Sequence, residues 1–389
     1  MKRLLCVTGS RAEYGILRRL LMSLSNKKEI ELSIIATGMH CDPKYGNTYK
    51  NIESDGLRLE GIIDIALDSS SNEKIINSMS LCQNEFASIF TSEHYDAVMI
   101  LGDRYEIFAV AIAAAMNNIP IIHLHGGEKT LGNYDEFIRH SITKMSHLHL
   151  VSTDEYRKRV IQLGESPNSV INIGALGAEN CLSLVLPNKE ELESRFGSLT
   201  KPYFVVVFHP ETLTKGSLIE QTSILIDALT ILSEKYEFIF IGSNADTGSE
   251  KIISLIKDFC DRSSSRYMIS VNSEEYLALL KYSCGLIGNS SSGIIEAPSL
   301  NVATINIGDR QKGRVYGESV INVTCSKKSI IDAIELSQSS SFKELIVNNK
   351  NPYYKENALE NAVEIIFDFL STKESNIGYK DFYDVDFNI

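Results

Sequence analysis

The sequence predicts two doubly wound α/β domains, each built on a parallel sheet, with a ligand cleft between them. Three observations carry that reading. The 389 residues are too many for one ordinary core. Short apolar, β-branched runs alternate with longer amphipathic stretches, the pattern of repeated βαβ units. The alternation then restarts after residue 200.

In the first half the strand-like runs are residues 4–7, 31–36, 59–65, 97–101, 119–123 and 148–152. Each is apolar and followed by a turn signal, as strands buried on both faces are. Amphipathic stretches between most of them read as crossover helices. Residues 109–116, rich in alanine and flanked by residues 104–106, read as a helix packed close to its sheet. The second series is residues 204–208, 238–241, 267–270, 285–287 and 302–307. Between the two series, residues 172–184 and 187–199 carry Gly, Pro and mixed charge, which sets the boundary near residue 175 and gives domains 1–175 and 176–389. An amphipathic last helix over 357–370 precedes an aromatic, acidic tail at 379–387, and both are expected to pack back on the first domain.

Composition bounds the function. Apolar residues are 43% and charged residues 23%, so folding needs no disulfide or metal staple. A net charge of −12 and a pI of about 5.3 speak against a nucleic-acid binder, which needs a basic face to neutralise phosphates. The opening MKRLLCVTGSRAEYG reads as neither a signal peptide nor a spanning helix, so no membrane partner is expected. Seven scattered cysteines without a CxxC pair fit reduced thiols in a cytoplasm and offer no zinc spacing. No metal and no cofactor are expected.

Stacked Rossmann-like sheets bind ligands beyond the carboxyl ends of their strands, so the chemistry is sought there. After the first strand, Thr8 to Gly15 offers small residues and Arg11 before a helix expected to open at Ile16, a place where a helix N-terminus meets an anion. The loop lacks GxGxxG and GxxxxGK[ST], so neither a dinucleotide site nor an ATP loop is supported. Leu101-Gly102-Asp103-Arg104 sets a carboxylate beside a guanidinium. His123-Leu124-His125-Gly126-Gly127-Glu128 ends the next strand: alternation would point both histidines to one side, and the glycines permit a tight turn. Asp135 and Arg139 are spaced i,i+4 for a surface ion pair. Asp103, Glu128 and Asp135 thus gather on adjacent loops and could divide acid and base roles.

In the second half His209 is the sole histidine and stands directly after a strand. Gly288-Asn289-Ser290-Ser291-Ser292-Gly293 brings hydroxyls and free backbone N–H groups to a helix start, which suits a diphosphate, and Glu296 one turn on suits ribose hydroxyls. Arg310 in Ile307-Gly308-Asp309-Arg310-Gln311-Lys312-Gly313-Arg314 adds cationic charge.

Together SRAEYG, LGDR, HGGEKT, NYDEFIRH, FHPET, GNSSSGIIE and NIGDRQKGR resemble the UDP-N-acetylglucosamine 2-epimerase family over nearly the whole chain. The set looks closest to the bacterial hydrolysing enzymes of sialic acid biosynthesis. Such enzymes adopt the glycosyltransferase-B fold and release N-acetylmannosamine and UDP, by elimination to 2-acetamidoglucal and hydration with the opposite C2 configuration. The resemblance implies Asp103 and Asp135 as catalytic carboxylates and His209 near the diphosphate. Ser290 and Ser291, with Ser292 and Gly293 in the same loop, would hold phosphates; Arg11, Arg104 and Arg310 would serve the same anion, and Glu296 the ribose. It also implies a homo-oligomer, dimer or tetramer, serving capsule or lipopolysaccharide synthesis. One position departs: many members carry a catalytic Glu two residues after the strand-end His, where this chain has His125, and the nearest Glu is Glu128. Glu128 is expected to be the acid/base and His125 a substrate contact. The competing readings are a non-hydrolysing epimerase, a hydrolysing epimerase for UDP-diacetylbacillosamine, a glycosyltransferase of the same fold, and a nucleotide-sugar binding protein without turnover.

Overall fold

The computed structural model describes the chain except residues 132, 210, 212–217, 243–248, 270, 373–379 and 387–389. Pro210 and Thr212 of the FHPET motif, Ser270, and the tail ends Tyr379 and Phe387 lie outside the described residues.

Two parallel sheets carry the fold. The first contains β1 (Lys2–Thr8), β2 (Ile30–Thr37), β3 (Leu59–Ile63), β4 (Ala97–Leu101), β5 (Ile121–Leu124), β6 (Leu148–Val151) and β7 (Val170–Asn172), in the order 3-2-1-4-5-6-7. The second contains β8 (Tyr203–Val207), β9 (Glu237–Ile241), β10 (Arg266–Met268), β11 (Leu286–Gly288), β12 (Thr304–Ile307) and β13 (Val320–Val323), in the order 10-9-8-11-12-13. Both orders reverse once, between β1 and β4 and between β8 and β11. At such a switch point the connecting segments leave in opposite directions and open a crevice at the carboxyl edge.

The central strands match the apolar runs because they are buried on both faces: β4, β8 and β9 throughout, and β1 from Leu4 on. β7 and β13 have no counterpart among the expected strands. They are sheet edges of three and four residues with one buried position each, and an Asn breaks each apolar run after two residues, so neither makes a long apolar run.

The stretches at 172–184 and 187–199 hold two helices, Leu176–Ser183 and Lys189–Phe196. Asn188 and Glu191 cap the second reciprocally, a signal the glycines and prolines nearby obscure. The last helix, Ala358–Ser371, leaves the second sheet and buries Ala358, Leu359, Ala362, Val363, Ile366 and Leu370 in one cluster with Leu17, Leu20, Leu21 and Leu24 of the first. Residues 380–386 follow it there: the Tyr383 N–H donates to the Gly164 carbonyl at 2.9 Å, and Lys380 pairs with Glu165 at 2.7 Å. Among the described residues no helix is long and apolar enough to cross a membrane.

Candidate active site

At the first switch point the helix begins earlier than its sequence suggests. Ser10 caps it, accepting from the Glu13 N–H at 3.4 Å, and Glu13 accepts from the Gly9 N–H at 2.8 Å, so the helix spans Arg11–Ser25 rather than opening at Ile16. Capping at Ser10 offsets the poor propensity of Gly15 four residues inside. Arg11 becomes the first helical residue and borders the cleft. Across the switch point Arg104 stands before the helix Tyr105–Met116; its Nε donates to Glu106 at 2.6 Å and lies 3.9 Å from Glu13. Burial, and then the charge of Glu106, push the Glu13 carboxyl up to about 7 against the pull of Arg104 and the Gly9 amide.

At the second switch point one side chain ties the sheet ends together. Asn289, after β11, accepts from the His209 N–H at 2.7 Å and donates to the His209 carbonyl at 2.9 Å. Burial, with Arg310 and Arg104 adding repulsion, drives the His209 imidazole well below its ordinary pKa, so the ring is neutral at pH 7. The Asn289 carbonyl accepts from Arg310 Nη1 at 2.9 Å and from Gln311 Nε2 at 2.7 Å. Glu211 holds the same loop by accepting from the N–H groups of Asp309 and Arg310 at 2.9 and 3.2 Å.

Between the two switch points lies a cavity of about 970 Å³, its open mouth included, bordered by Arg11, His209, Ser290, Ser291, Ser292 and Glu296. Arg310 closes one side, and Tyr276 donates to Ser292 at 2.7 Å. Its cationic and hydroxyl-bearing wall suits an anionic ligand. Gly293 is not on this wall. A side chain there would strike Thr304 of β12, so its place is to let the short helix Ser292–Ile295 lie on the sheet.

A cluster of carboxylates and histidines on the first-domain side meets the cavity wall through Arg310. β5 ends at Leu124, and His125 takes φ +65, so strand alternation does not extend to it and the two histidines part. His123 Nε2 lies 2.8 Å from the Gly102 carbonyl, whereas His125 Nδ1 lies 3.0 Å from Glu128 Oε1. Gly127, at φ +78, supplies the turn that brings Glu128 back beneath His125. Glu128 is 2% exposed, also accepts from Ser152 Oγ at 3.1 Å, and forms an ion pair with Arg314 at 2.8 Å. Burial alone would raise its pKa. The Arg314 charge and the bonds from His125 and Ser152 outweigh burial and hold it at about 2.

The expected surface pair between Asp135 and Arg139 does not form. Arg139 is 1% exposed and turns inward to Asp103, the Glu128 carbonyl at 2.9 Å and Thr130 at 2.6 Å. Asp135 instead lies 3.9 Å from the Arg310 guanidinium. A buried cation needs every available acceptor, and the loops after β4 and β5, which the inward face of the helix Asp135–Met145 meets, supply them. Arg310 therefore belongs to both the cavity wall and the carboxylate cluster.

The profile described as UDP-N-acetylglucosamine 2-epimerase matches residues 22–367. The chain belongs to that family. It is 61% identical to the polysialic acid biosynthesis protein P7 of Escherichia coli, over 99% of this chain and 98% of that protein. It is 39% identical to the GDP/UDP-N,N'-diacetylbacillosamine 2-epimerase (hydrolyzing) of Campylobacter jejuni, over 88% of this chain and 89% of that one. The UDP-GlcNAc 2-epimerase of Neisseria meningitidis, solved with UDP-GlcNAc bound, shares the fold at a TM-score of 0.78 with 17% identity, covering 94% and 100% of the two chains. The epimerase fold is thus glycosyltransferase-B-like, with two Rossmann-like domains.

Within this epimerase scaffold the structure gives Glu13, Arg139, Arg314 and Asn289 contacts that their motifs did not assign. Glu13 stood inside SRAEYG as the group three residues beyond a Ser, a capping signature that was legible. Arg139, Arg314 and Asn289 gave no such signal, because each acts on a partner distant in sequence.

Proposed function

We propose that this epimerase hydrolyses UDP-N-acetylglucosamine with inversion at C2, releasing N-acetylmannosamine and UDP through 2-acetamidoglucal. The observation that carries the reading is the double engagement of Arg310, which borders the cavity and stands 3.9 Å from Asp135. A diphosphate held by Arg310, Arg11 and the hydroxyls of Ser290, Ser291 and Ser292 would put its C1–O bond next to the acid/base cluster of Asp103, Asp135, His125 and Glu128. His209, Arg104 and Glu296 complete the binding set, His209 beside the diphosphate and Glu296 at the ribose. Residues 1–175 would contribute the acid/base groups, and residues 176–389 most of the nucleotide pocket.

The C2–H is a poor acid, so its removal depends on easing UDP departure. Preorganised cations and N–H groups at the leaving diphosphate do this without reorganisation during the reaction. Inversion requires a proton lost from one face and gained on the other, which a single carboxylate does not serve and a cluster does.

Likeness to the polysialic acid biosynthesis protein supports a role in making the sialic acid precursor for capsule or lipopolysaccharide. A cytoplasmic homo-oligomer completes the proposal. A second substrate, UDP-N,N'-diacetylbacillosamine, is favoured by the 39% identity to the Campylobacter enzyme. Proton NMR of the protein in deuterium oxide with each sugar nucleotide alone tests both. The expected outcome is free UDP and a C2-deuterated, inverted free sugar from UDP-N-acetylglucosamine. UDP-N-acetylmannosamine without free UDP would make it a non-hydrolysing epimerase, and product retaining its original C2 hydrogen would refute the elimination route.

A further inference from the structure

Taking that reaction as its basis, we propose that His125 Nε2 is the base that removes the C2 proton, and that Glu128 is the positioning residue that orients it. The carboxylates of the cluster are each committed elsewhere. Asp103 is bonded by Arg139, Asp135 stands against Arg310, and Glu128 answers His125, Ser152 and Arg314. His125 is 8% exposed, and its Nε2 is buried with no hydrogen-bond partner among the described residues. A buried ring nitrogen left open costs free energy in the empty site and is the kind of group a substrate satisfies.

The tautomer follows from the neighbours. Glu128 is ionised under the Arg314 charge, and an ionised carboxylate only accepts. His125 Nδ1 must therefore donate to it, which leaves the lone pair on Nε2. A carboxylate behind Nδ1 also stabilises the imidazolium that forms when Nε2 takes a proton, the logic of an acid–histidine dyad. The backbone agrees: His125 sits at φ +65 immediately after β5, a conformation costly for a residue with a side chain, and its N–H is tied to the Leu150 carbonyl at 3.0 Å. The ring is thus aimed by two hydrogen bonds and a strained turn. The titratable and charged groups around it are Glu128 on its own loop, His123 on β5, Glu296 after the short helix, and Arg314 beyond Glu128.

In the step itself Nε2 accepts the C2 proton and the C2–H electron pair becomes the C1–C2 π bond. The C1–O bond breaks with its pair leaving on the β-phosphate oxygen of UDP. Water then adds its hydroxyl to C1, and C2 gains a proton from the opposite face. That second transfer belongs to another member of the cluster, and the imidazolium returns its proton to solvent.

The test follows UDP release across pH for the wild type, His125→Gln, His125→Glu and Glu128→Gln, with UDP affinity by calorimetry as the control for folding. His125→Gln should lower kcat about 100-fold or more with KM and UDP affinity within about threefold. His125→Glu should restore much of kcat and move the acidic limb of the profile to lower pH, because a carboxyl group then stands in place of the imidazole. Glu128→Gln should also move that limb to lower pH, because losing the anion disfavours the imidazolium. A kcat within threefold of wild type for His125→Gln, or an unmoved limb in His125→Glu, overturns the assignment. So does a Glu128→Gln enzyme that is dead while His125→Gln is not. If His125→Gln loses UDP binding, the limb in His125→Glu decides. A wild type that releases UDP from neither UDP-N-acetylglucosamine nor UDP-N,N'-diacetylbacillosamine removes the reaction and the dyad together, whereas turnover with an indifferent His125 removes the dyad alone.

Discussion

Replacing Asn289 by Ala tests whether the second switch point is held by one side chain. The amide closes two hydrogen bonds with the His209 backbone, at 2.7 and 2.9 Å, across the gap between β8 and β11. His209 is 5% exposed, so water does not readily replace the lost partners. A buried backbone group left unpaired costs about 1–3 kcal/mol, and two groups give about 2–6 kcal/mol for Asn289→Ala. For a domain of this size each kcal/mol lowers Tm by about 2–4 °C, so the first thermal transition should fall by at least about 4 °C. Asn289→Asp separates the bonds: it still accepts from the His209 N–H but no longer donates to the carbonyl, and it should lose less. UDP affinity should fall with stability, because Arg310 and Gln311 both anchor on the Asn289 backbone. Calorimetric scans of the apo protein and titration with UDP measure both effects. A Tm for Asn289→Ala within 1 °C of wild type would refute the clamp, and so would Asn289→Asp behaving as badly as Ala.

Three further outcomes are expected. Ser290→Ala with Ser291→Ala should weaken UDP binding by about 1–3 kcal/mol through lost phosphate hydrogen bonds, measured by titration calorimetry; unchanged affinity would move the phosphates elsewhere. Asp103→Asn and Asp135→Asn should each lower kcat about 100-fold or more, with circular dichroism checking the Asp103 variant because Arg139 loses its buried counter-charge. Glu13→Gln should change the pH dependence of stability. The folded pKa of about 7 is raised above that of the unfolded chain, so Glu13 is best tolerated in acid and becomes unfavourable as pH rises toward 7. Wild-type Tm relative to the variant should therefore decline from pH 5 to pH 8, and a constant difference would place the proton elsewhere.

What was legible in the sequence, and what was not, divides along a physical line. A buried parallel strand must be apolar along its whole length, so the central strands and the motifs at their ends could be found from the chain alone. β7 and β13 escaped because an Asn breaks each apolar run after two residues, Val170-Ile171 and Val320-Ile321. Within the site, capping at Ser10 and Glu13 was local and readable, but pairing across strands was not. Glu13 meets Arg104 and Glu106 only because the order 3-2-1-4 sets β1 beside β4. The spacing of Asp135 and Arg139 marked them as neighbours on one helix, and spacing alone points to a weak surface pair. Burial reversed that outcome: a guanidinium at 1% exposure cannot settle for one marginal partner when Asp103, Thr130 and a carbonyl converge on it. Asp135 was thereby left to Arg310, from a loop of the other sheet. The pairing that joins the cavity wall to the carboxylate cluster is thus one that sequence spacing misdirects, because it exists only once the two domains are packed together.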